Sequence, residues 1–218
     1  MRLRELFAHA GFGALVDMLI PPRPSERVVC TLALEELRGM RPDARHARRG
    51  GGSFDALLPY HDPRAMALVW EVKYYRNQRA LLLAAALLSE TIAEAAAESL
   101  GVPLLIPVPM HPERRRQRGH NQTELLCAAA AKRLPRQIEY SPDILRKIRH
   151  TAPQQTLPRA ERLRNVEFSM QVKDPAAIAD RVCIVVDDVA TTGATLAEAR
   201  RALTDARAGD IVCLALAA

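Results

Sequence analysis

The chain has 218 residues, 49% hydrophobic and 26% charged, enough apolar material for one sizeable core and too ordinary a charge content for wholesale disorder. Aromatic residues make up only 4%, so the apolar bulk is Leu, Val and especially Ala. No apolar run approaches the roughly 20 residues of a membrane span, and the longest, Ala80 to Leu88, closed by Ser89 and Glu90, reads as a buried helix of a soluble protein.

At the N-terminus, Arg2 and Arg4 precede an apolar stretch from Phe7 to Ile20. Glu5, His9 and Asp17 interrupt it and no small-x-small cleavage site follows, so an amphipathic helix is expected rather than a secretory signal. Pro21 and Pro22 end it, a short helical pattern occupies Leu32 to Leu37, and the run from Arg45 to Gly52 reads as a basic linker. Residues 1–52 are therefore expected to form a small helical appendage with its linker, and residues 53–218 the main domain.

Phe54 to Trp70 is apolar, with turns at Pro59 and at His61-Asp62-Pro63. Asn77 to Leu100 predicts a long Ala/Leu helix closed by Gly101, Leu104 to Val108 a strand between prolines, and Asn121 to Leu134 a helix stopped by Pro135. Val182 to Val186 has the length and β-branching of a fully buried parallel strand. Thr195 to Ala206 predicts a helix and Ile211 to Leu216 a last strand. Strands alternating with long helices imply an α/β fold with a mainly parallel sheet flanked by helices. Cys30, Cys127, Cys183 and Cys213 are scattered without metal-ligand spacing and read as core residues of a reducing, cytoplasmic compartment.

The net charge of +6 is uneven. Between His111 and Arg164 stand 13 Lys and Arg against 5 Asp and Glu, a local excess of 8 that leaves the remainder at −2. Such a basic middle suits an anionic ligand such as a phosphate, a pyrophosphate or nucleic acid, or else forms a solvated face.

The string from Ile184 to Leu196 carries the chemistry: Ile-Val-Val-Asp-Asp-Val-Ala-Thr-Thr-Gly-Ala-Thr-Leu. A buried strand would deliver two acids to the carboxyl edge of the sheet, where α/β folds bind ligands. The small residues that follow let backbone N–H groups approach an anion at a helix N-terminus. Two carboxylates beside a phosphate cradle suit a sugar diol one sugar-length from its phosphate. Asp-Asp alone would be no more than an acidic turn; the whole string makes it a site. A Walker A loop, a dinucleotide-binding Gly-x-Gly-x-x-Gly and a hydrolase nucleophile elbow are all absent from the sequence.

Val185 to Leu196 resembles the phosphoribosyl-pyrophosphate (PRPP) signature of type I phosphoribosyltransferases. More narrowly, the chain resembles the ComF family, phosphoribosyltransferase-like proteins associated with DNA uptake in competent bacteria. The resemblance begins near Phe54 and includes Leu58-Pro59-Tyr60, Lys73-Tyr74-Tyr75-Arg76 and Pro107 to Pro112. It continues through Arg118-Gly119-His120-Asn121-Gln122, then Arg149, Thr151, Gln154, Leu157, Arg162 and Asn165.

This resemblance implies that Asp187 and Asp188 bind the ribose 2′- and 3′-hydroxyls of PRPP and act at the catalytic centre. It implies that Ala190, Thr191, Thr192, Gly193, Ala194 and Thr195 hold the 5′-phosphate. Lys73, Tyr74 and Arg76 stand where the family's first loop meets pyrophosphate; the alternative is that Lys73 and Arg76 are simply exposed. Arg118, Asn121 and Gln122 open a helix and are candidate anion donors. Gln154 and Arg162 either belong to a mobile flap or tether it. Arg114, Arg115 and Arg116 read as a solvated or nucleic-acid-facing run. Mg²⁺ is expected only through PRPP. The family's four-cysteine zinc module is not matched: Cys30 is the only cysteine before Cys127, and one thiolate builds no tetrahedral site even if His46 or His61 stood near, so no zinc is expected.

Two functions follow. One is transfer of phosphoribosyl from PRPP to an acceptor, although no nucleobase pocket or general base is identifiable. The other is a non-catalytic DNA-uptake component that binds PRPP or single-stranded DNA. The basic middle favours the latter, while its single aromatic, Tyr140, leaves few surfaces for base stacking.

Overall fold

A computed structural model of the protein describes residues 22–40, 54–149 and 165–218. Its strands are β1 (Asp55–Leu58), β2 (Leu104–Pro107), β3 (Glu139–Tyr140), β4 (Leu145–Lys147), β5 (Met170–Val172), β6 (Cys183–Val189) and β7 (Ile211–Ala217). Its α-helices are α1 (Pro24–Thr31), α2 (Leu34–Gly39), α3 (Pro63–Trp70), α4 (Gln78–Ala97), α5 (Pro112–Arg118), α6 (Gln122–Ala131) and α7 (Ala194–Asp205). Five strands form a parallel sheet in the order β1-β7-β6-β2-β3, while β4 and β5 pair antiparallel as a separate ribbon. The α/β architecture expected from the sequence is the one observed, and it is of phosphoribosyltransferase-like form.

Successive residues of the central strands point to opposite faces, and both faces are apolar. Ile184 and Val186 join Leu105, Leu214 and Leu216 in a core that includes residues of α1–α4 and α6. Cys183 and Val185 join Leu104, Ile106, Cys213 and Ala215 in a second core against α7 and the β4–β5 ribbon. From β2 the chain steps outward to β3 and later returns to β6 on the other side of β2. The strand order thus reverses between β2 and β6, the place where open α/β sheets hold ligands at their carboxyl ends.

β6 runs through both acids to Val189, beyond the expected end at Val186, because β7 pairs alongside it, with Asp187 opposite Ala215 and Val189 opposite Ala217. Gly101, at φ +82°, lies in the left-handed region beyond α4. The short helix α5 was not expected. Pro112 fixes its first turn, His111 Nδ1 caps it from the Glu113 N–H at 3.4 Å, and Gly119 ends it at φ +78°.

The described part of the N-terminal segment packs on the sheet domain. Val29, Leu32, Leu37 and Met40 share a core with Ala80, Ala84 and Leu88 of α4. Arg79 donates from Nε to the Val29 carbonyl at 2.9 Å and from Nη2 to that of Leu32 at 3.0 Å. The amphipathic stretch at Phe7 to Ile20 and the basic run at Arg45 to Gly52 lie outside the described residues. With 20 residues and a mean hydropathy of 1.6 over its most apolar stretch, α4 reaches the length and composition of a membrane span, which the shorter run Ala80 to Leu88 had not suggested. Its Ala80, Ala84, Ala85, Leu88 and Ile92 are buried in the core described above.

Cys127, Cys183 and Cys213 are buried as expected, but Cys30 is exposed on α1, whose inward face is filled by Val29. Among the described residues, no group of three or more His, Cys, Asp or Glu side chains is placed to hold a metal. His46 lies outside the described residues.

Candidate anion-binding site

Asp187 and Asp188 end the central strand at the reversal point, both nearly buried. Their own backbone ties them down: the Asp188 N–H donates to Asp187 Oδ1 at 2.8 Å and the Val189 N–H to Asp188 Oδ1 at 2.8 Å. From outside the strand, Gln122 Nε2 donates to Asp188 Oδ2 at 2.8 Å, and Lys73 Nζ stands 3.3 Å from the same oxygen. The two acids are thereby made unlike. Burial pushes Asp187 well above the usual carboxylate range, and the neighbouring Asp188 charge adds to the shift. Burial also opposes ionisation of Asp188, but Lys73 and the hydrogen bond from Gln122 outweigh it and hold that carboxyl below its ordinary value. Lys73 is itself half-buried; desolvation disfavours its ammonium, yet Asp188 reverses the balance and raises it.

Lys73 and Tyr74 ride on a π-helical turn, Glu71–Tyr75, that follows α3 directly, where the sequence had suggested a loop. Such turns are rare and concentrate at functional sites. Arg76 closes this one in the left-handed conformation at φ 51°. The turn brings together residues far apart in sequence. The Arg118 guanidinium lies 5.8 Å and the Lys73 ammonium 5.9 Å from the centre of the Tyr74 ring. His120 faces the same cluster: burial lowers its pKa, as do the charges of Arg76 and Arg118.

Asn121 and Gln122 divide their labour. Asn121 Oδ1 caps α6 from the Thr123 N–H at 3.1 Å, and its Nδ2 donates to the Val108 carbonyl at 3.0 Å, so this side chain builds the site rather than facing a ligand. Gln122 holds Asp188, while its buried Oε1 accepts no hydrogen bond from the described residues. An orphaned buried acceptor beside two carboxylates suits a ligand with hydroxyl groups.

The predicted phosphate loop joins β6 to the N-terminus of α7. Ala190 and Thr192 are buried and Thr191 is exposed. Gly193 is the N-cap of α7 at φ 72°, ψ 1°. Thr192 Oγ1 accepts from the Ala194 N–H at 3.4 Å, and Thr195 sits half-buried in the first turn. A 12-residue helix therefore begins one short loop after the acid pair.

The basic run behaves as three separate residues. Arg115 pairs with Glu124 at 2.7 Å and Arg116 is exposed. Arg114 is half-buried, its pKa lowered by desolvation and then by Arg118. Lys147, also half-buried, is lowered by desolvation and by the charges of Arg114 and Arg149, and it feels Asp187 in the opposite sense. The sequence reading missed Lys147 and the inward turn of Arg114, because neither belongs to a recognisable motif. Gln154 and Arg162 lie outside the described residues. The two ends of that stretch are clipped together where Arg149 Nη2 donates to the carbonyls of Asn165 at 3.2 Å and Glu167 at 2.6 Å. Buried Glu198 of α7 anchors the start of β5: its Oε1 accepts the Met170 N–H at 2.9 Å, while Arg201 bridges Glu198 and the Met170 carbonyl. Helix α7 and the β4–β5 ribbon are thus fastened to one another. Replacing Glu198 by Leu removes the acceptor and should raise amide hydrogen exchange at Met170 more than at β6 residues; equal protection in both proteins would sink the clamp.

The fold is that of a phosphoribosyltransferase-like α/β protein. No family model matches the chain. It is 33% identical over 142 residues to DNA utilization protein YhgH of Salmonella typhi, covering 63% of this chain and 60% of that protein. It is 30% identical over 156 residues to DNA utilization protein YhgH of Escherichia coli strain K12, covering 70% of this chain and 67% of that one. With Competence protein F of Haemophilus influenzae the identity is 36% over 101 residues, 45% of this chain and 43% of the other. The match to the Salmonella typhi protein thus spans less than two thirds of its length. The chain belongs to the ComF family.

Proposed function

We propose that the protein binds PRPP and transfers its phosphoribosyl group to an acceptor, releasing pyrophosphate. The observation that carries this reading is the 3.3 Å contact of Lys73 with Asp188, because it joins the expected pyrophosphate residue to an expected ribose residue at the sheet's switch point. Asp187 and Asp188 accept from the ribose 2′- and 3′-hydroxyls, with Gln122 Oε1 free to accept a further hydrogen bond. The residues from Ala190 to Thr195 hold the 5′-phosphate at the N-terminus of α7. Lys73, Arg76 and Arg118 neutralise pyrophosphate as the bond from C1 to its oxygen breaks and the acceptor's nucleophilic atom bonds to C1. The chain's contribution is positioning and electrostatic stabilisation of the cationic sugar at C1. The hard-oxygen donors of the acid pair fit Mg²⁺ held through PRPP, which when bound neutralises pyrophosphate charge.

The test is calorimetric titration with PRPP and Mg²⁺, together with pyrophosphate release over a panel of bases and amines. Lys73→Met should weaken PRPP binding by more than about tenfold, since it removes a charge-assisted contact of roughly 1.5–3 kcal/mol. The same variant should weaken ribose 5-phosphate much less, through the loss of the Asp188 counter-charge alone. No PRPP binding by the unsubstituted protein removes the reading altogether.

A second reading, binding of single-stranded DNA without turnover in the cytoplasm, is favoured by one surface feature. Trp70 and Tyr74 are 44% and 47% exposed, with ring centroids 6.0 Å apart edge-to-face, and Arg118 lies against Tyr74. Exposed rings beside arginines are the elements of base-stacking surfaces. The names of these relatives, DNA utilization protein and Competence protein F, support a link to DNA handling. Trp70→Leu should weaken single-stranded DNA binding by roughly 1–3 kcal/mol, about 5-fold to 150-fold, and spare PRPP. Fluorescence anisotropy over a salt series measures it; unchanged DNA affinity removes Trp70 from any such surface.

A further inference from the structure

We infer that Arg23 and Glu71 form a positioning device by which the N-terminal segment sets Lys73 against Asp188. Glu71 is wholly buried, the first residue of the π-helical turn. Its Oε1 accepts from Arg23 Nε at 3.2 Å and Ser25 Oγ at 2.7 Å, and its Oε2 from Arg23 Nη2 at 2.9 Å and Asn77 Nδ2 at 3.0 Å. Three pieces of chain therefore meet on one carboxylate: the start of α1, the turn itself and the cap of α4. Arg23 also covers the turn's last residue, its guanidinium carbon 3.9 Å from the Tyr75 ring centre. The Asn77 N–H closes on the Glu71 carbonyl at 3.0 Å, and Asn77 Oδ1 caps α4 from the Ala80 N–H at 3.2 Å.

Lys73 lies midway between the two residues that Arg23 grips, so the pair fixes both ends of the segment that aims its ammonium. Stability alone is a weak reason for such an arrangement, since a buried ion pair gives little net stabilisation over an apolar replacement and its best-attested use is to specify one geometry. A π-turn closed by a non-glycine residue at φ 51° is a conformation the surrounding structure has to impose. The 22–40 segment, which carries no cysteine cluster, here acquires a task at the site.

The consequence for pyrophosphate rests on the PRPP reading; the geometry of Lys73 does not. The experiment compares the full chain with Arg23→Gln and with the double variant Arg23→Gln/Glu71→Gln, which removes both charges of the pair; Glu26 loses its 3.1 Å contact with Arg23 equally in both variants. Amine labelling of the ligand-free proteins, read residue by residue by mass spectrometry, reports the exposure of Lys73. Lys73 should label roughly fivefold faster or more in both variants, with half-buried Lys147 and exposed Lys132 and Lys173 unchanged. PRPP affinity should fall while ribose 5-phosphate affinity holds. Unchanged Lys73 labelling overturns the inference, and so does equal acceleration of Lys73 and Lys147, which marks general loosening. Faster Lys73 labelling in a protein that binds no PRPP upholds the positioning device and overturns the PRPP reading instead.

Discussion

Replacing Asp187 by Asn should raise the melting temperature of the ligand-free protein near neutral pH, and combining it with Asp188→Asn should weaken PRPP binding by more than about tenfold. The two acids are buried side by side but titrate in opposite directions. Asp187 has a native pKa raised above its unfolded value, first by burial and then by Asp188. Its contribution to stability is present in full below the ordinary carboxylate range, about pH 3.9, and is lost as pH rises through the native value. Asparagine does not titrate, so the advantage of Asp187→Asn should be absent in acid and grow as pH rises. Asp188 has a depressed native pKa, and its contribution is present above the ordinary range and lost only as pH falls through the native value. Asp188→Asn should therefore destabilise at neutral pH, leaving the half-buried Lys73 ammonium without its 3.3 Å partner. For the ligand both changes act alike. Each removes a charge-assisted acceptor for a hydroxyl, worth roughly 1.5–3 kcal/mol, hence the loss of more than about tenfold. Scanning calorimetry from pH 4 to 8 and titration with PRPP check both parts. Melting shifts of the same sign for the two single variants would show that the acids are not differentiated.

Burying two carboxylates side by side costs stability, a trade that such pairs make where they serve a ligand. The same carboxylates explain why part of the site was readable from sequence. A run of β-branched residues ending in two acids, then Thr, Gly and Ala before a helical pattern, is a local signal, and the strand, loop and helix all lie where it placed them. The parallel sheet was legible for the same reason: Val182 to Val186 and Ile211 to Leu216 are short, apolar and separated by a helix. What was not legible depends on tertiary packing. β3, β4 and β5 have two or three residues each and no periodicity to detect. The π-turn that turns Lys73 inward is held by Arg23, 48 residues upstream of Glu71, a pairing no local pattern announces. Gln122 was marked as an anion donor, but its amide is engaged by Asp188. Arg114, Arg115 and Arg116 read as one charged run, yet successive helical positions face about 100° apart, so one turns inward, one pairs with Glu124 and one faces solvent.

Gly193→Val should abolish tight PRPP binding while leaving the sheet folded. Gly193 caps α7 at φ 72°, a conformation that costs an L-residue roughly 1–2 kcal/mol and is least tolerable for a β-branched side chain. Valine there must either strain the loop or move it back toward the β region, and the second course re-aims the peptide groups of the loop from Thr192 to Thr195. In the proposed phosphate cradle its branched Cβ would also stand against the phosphate, where glycine leaves only hydrogen. Two controls separate these causes. Gly193→Asn accepts the left-handed conformation and retains an N-cap side chain, so it should melt close to the unsubstituted protein; a loss of PRPP affinity in that variant then reports crowding alone. Gly193→Ala adds a single Cβ with the strain but without branching, so its affinity should fall between those of glycine and valine. The loss should appear equally with ribose 5-phosphate, which shares the 5′-phosphate but lacks pyrophosphate, in contrast to Lys73→Met. Calorimetry that finds Gly193→Val binding PRPP as tightly as the unsubstituted protein would move the 5′-phosphate away from α7, and the Asp187–Asp188 pair would lose the phosphate anchor one sugar-length away.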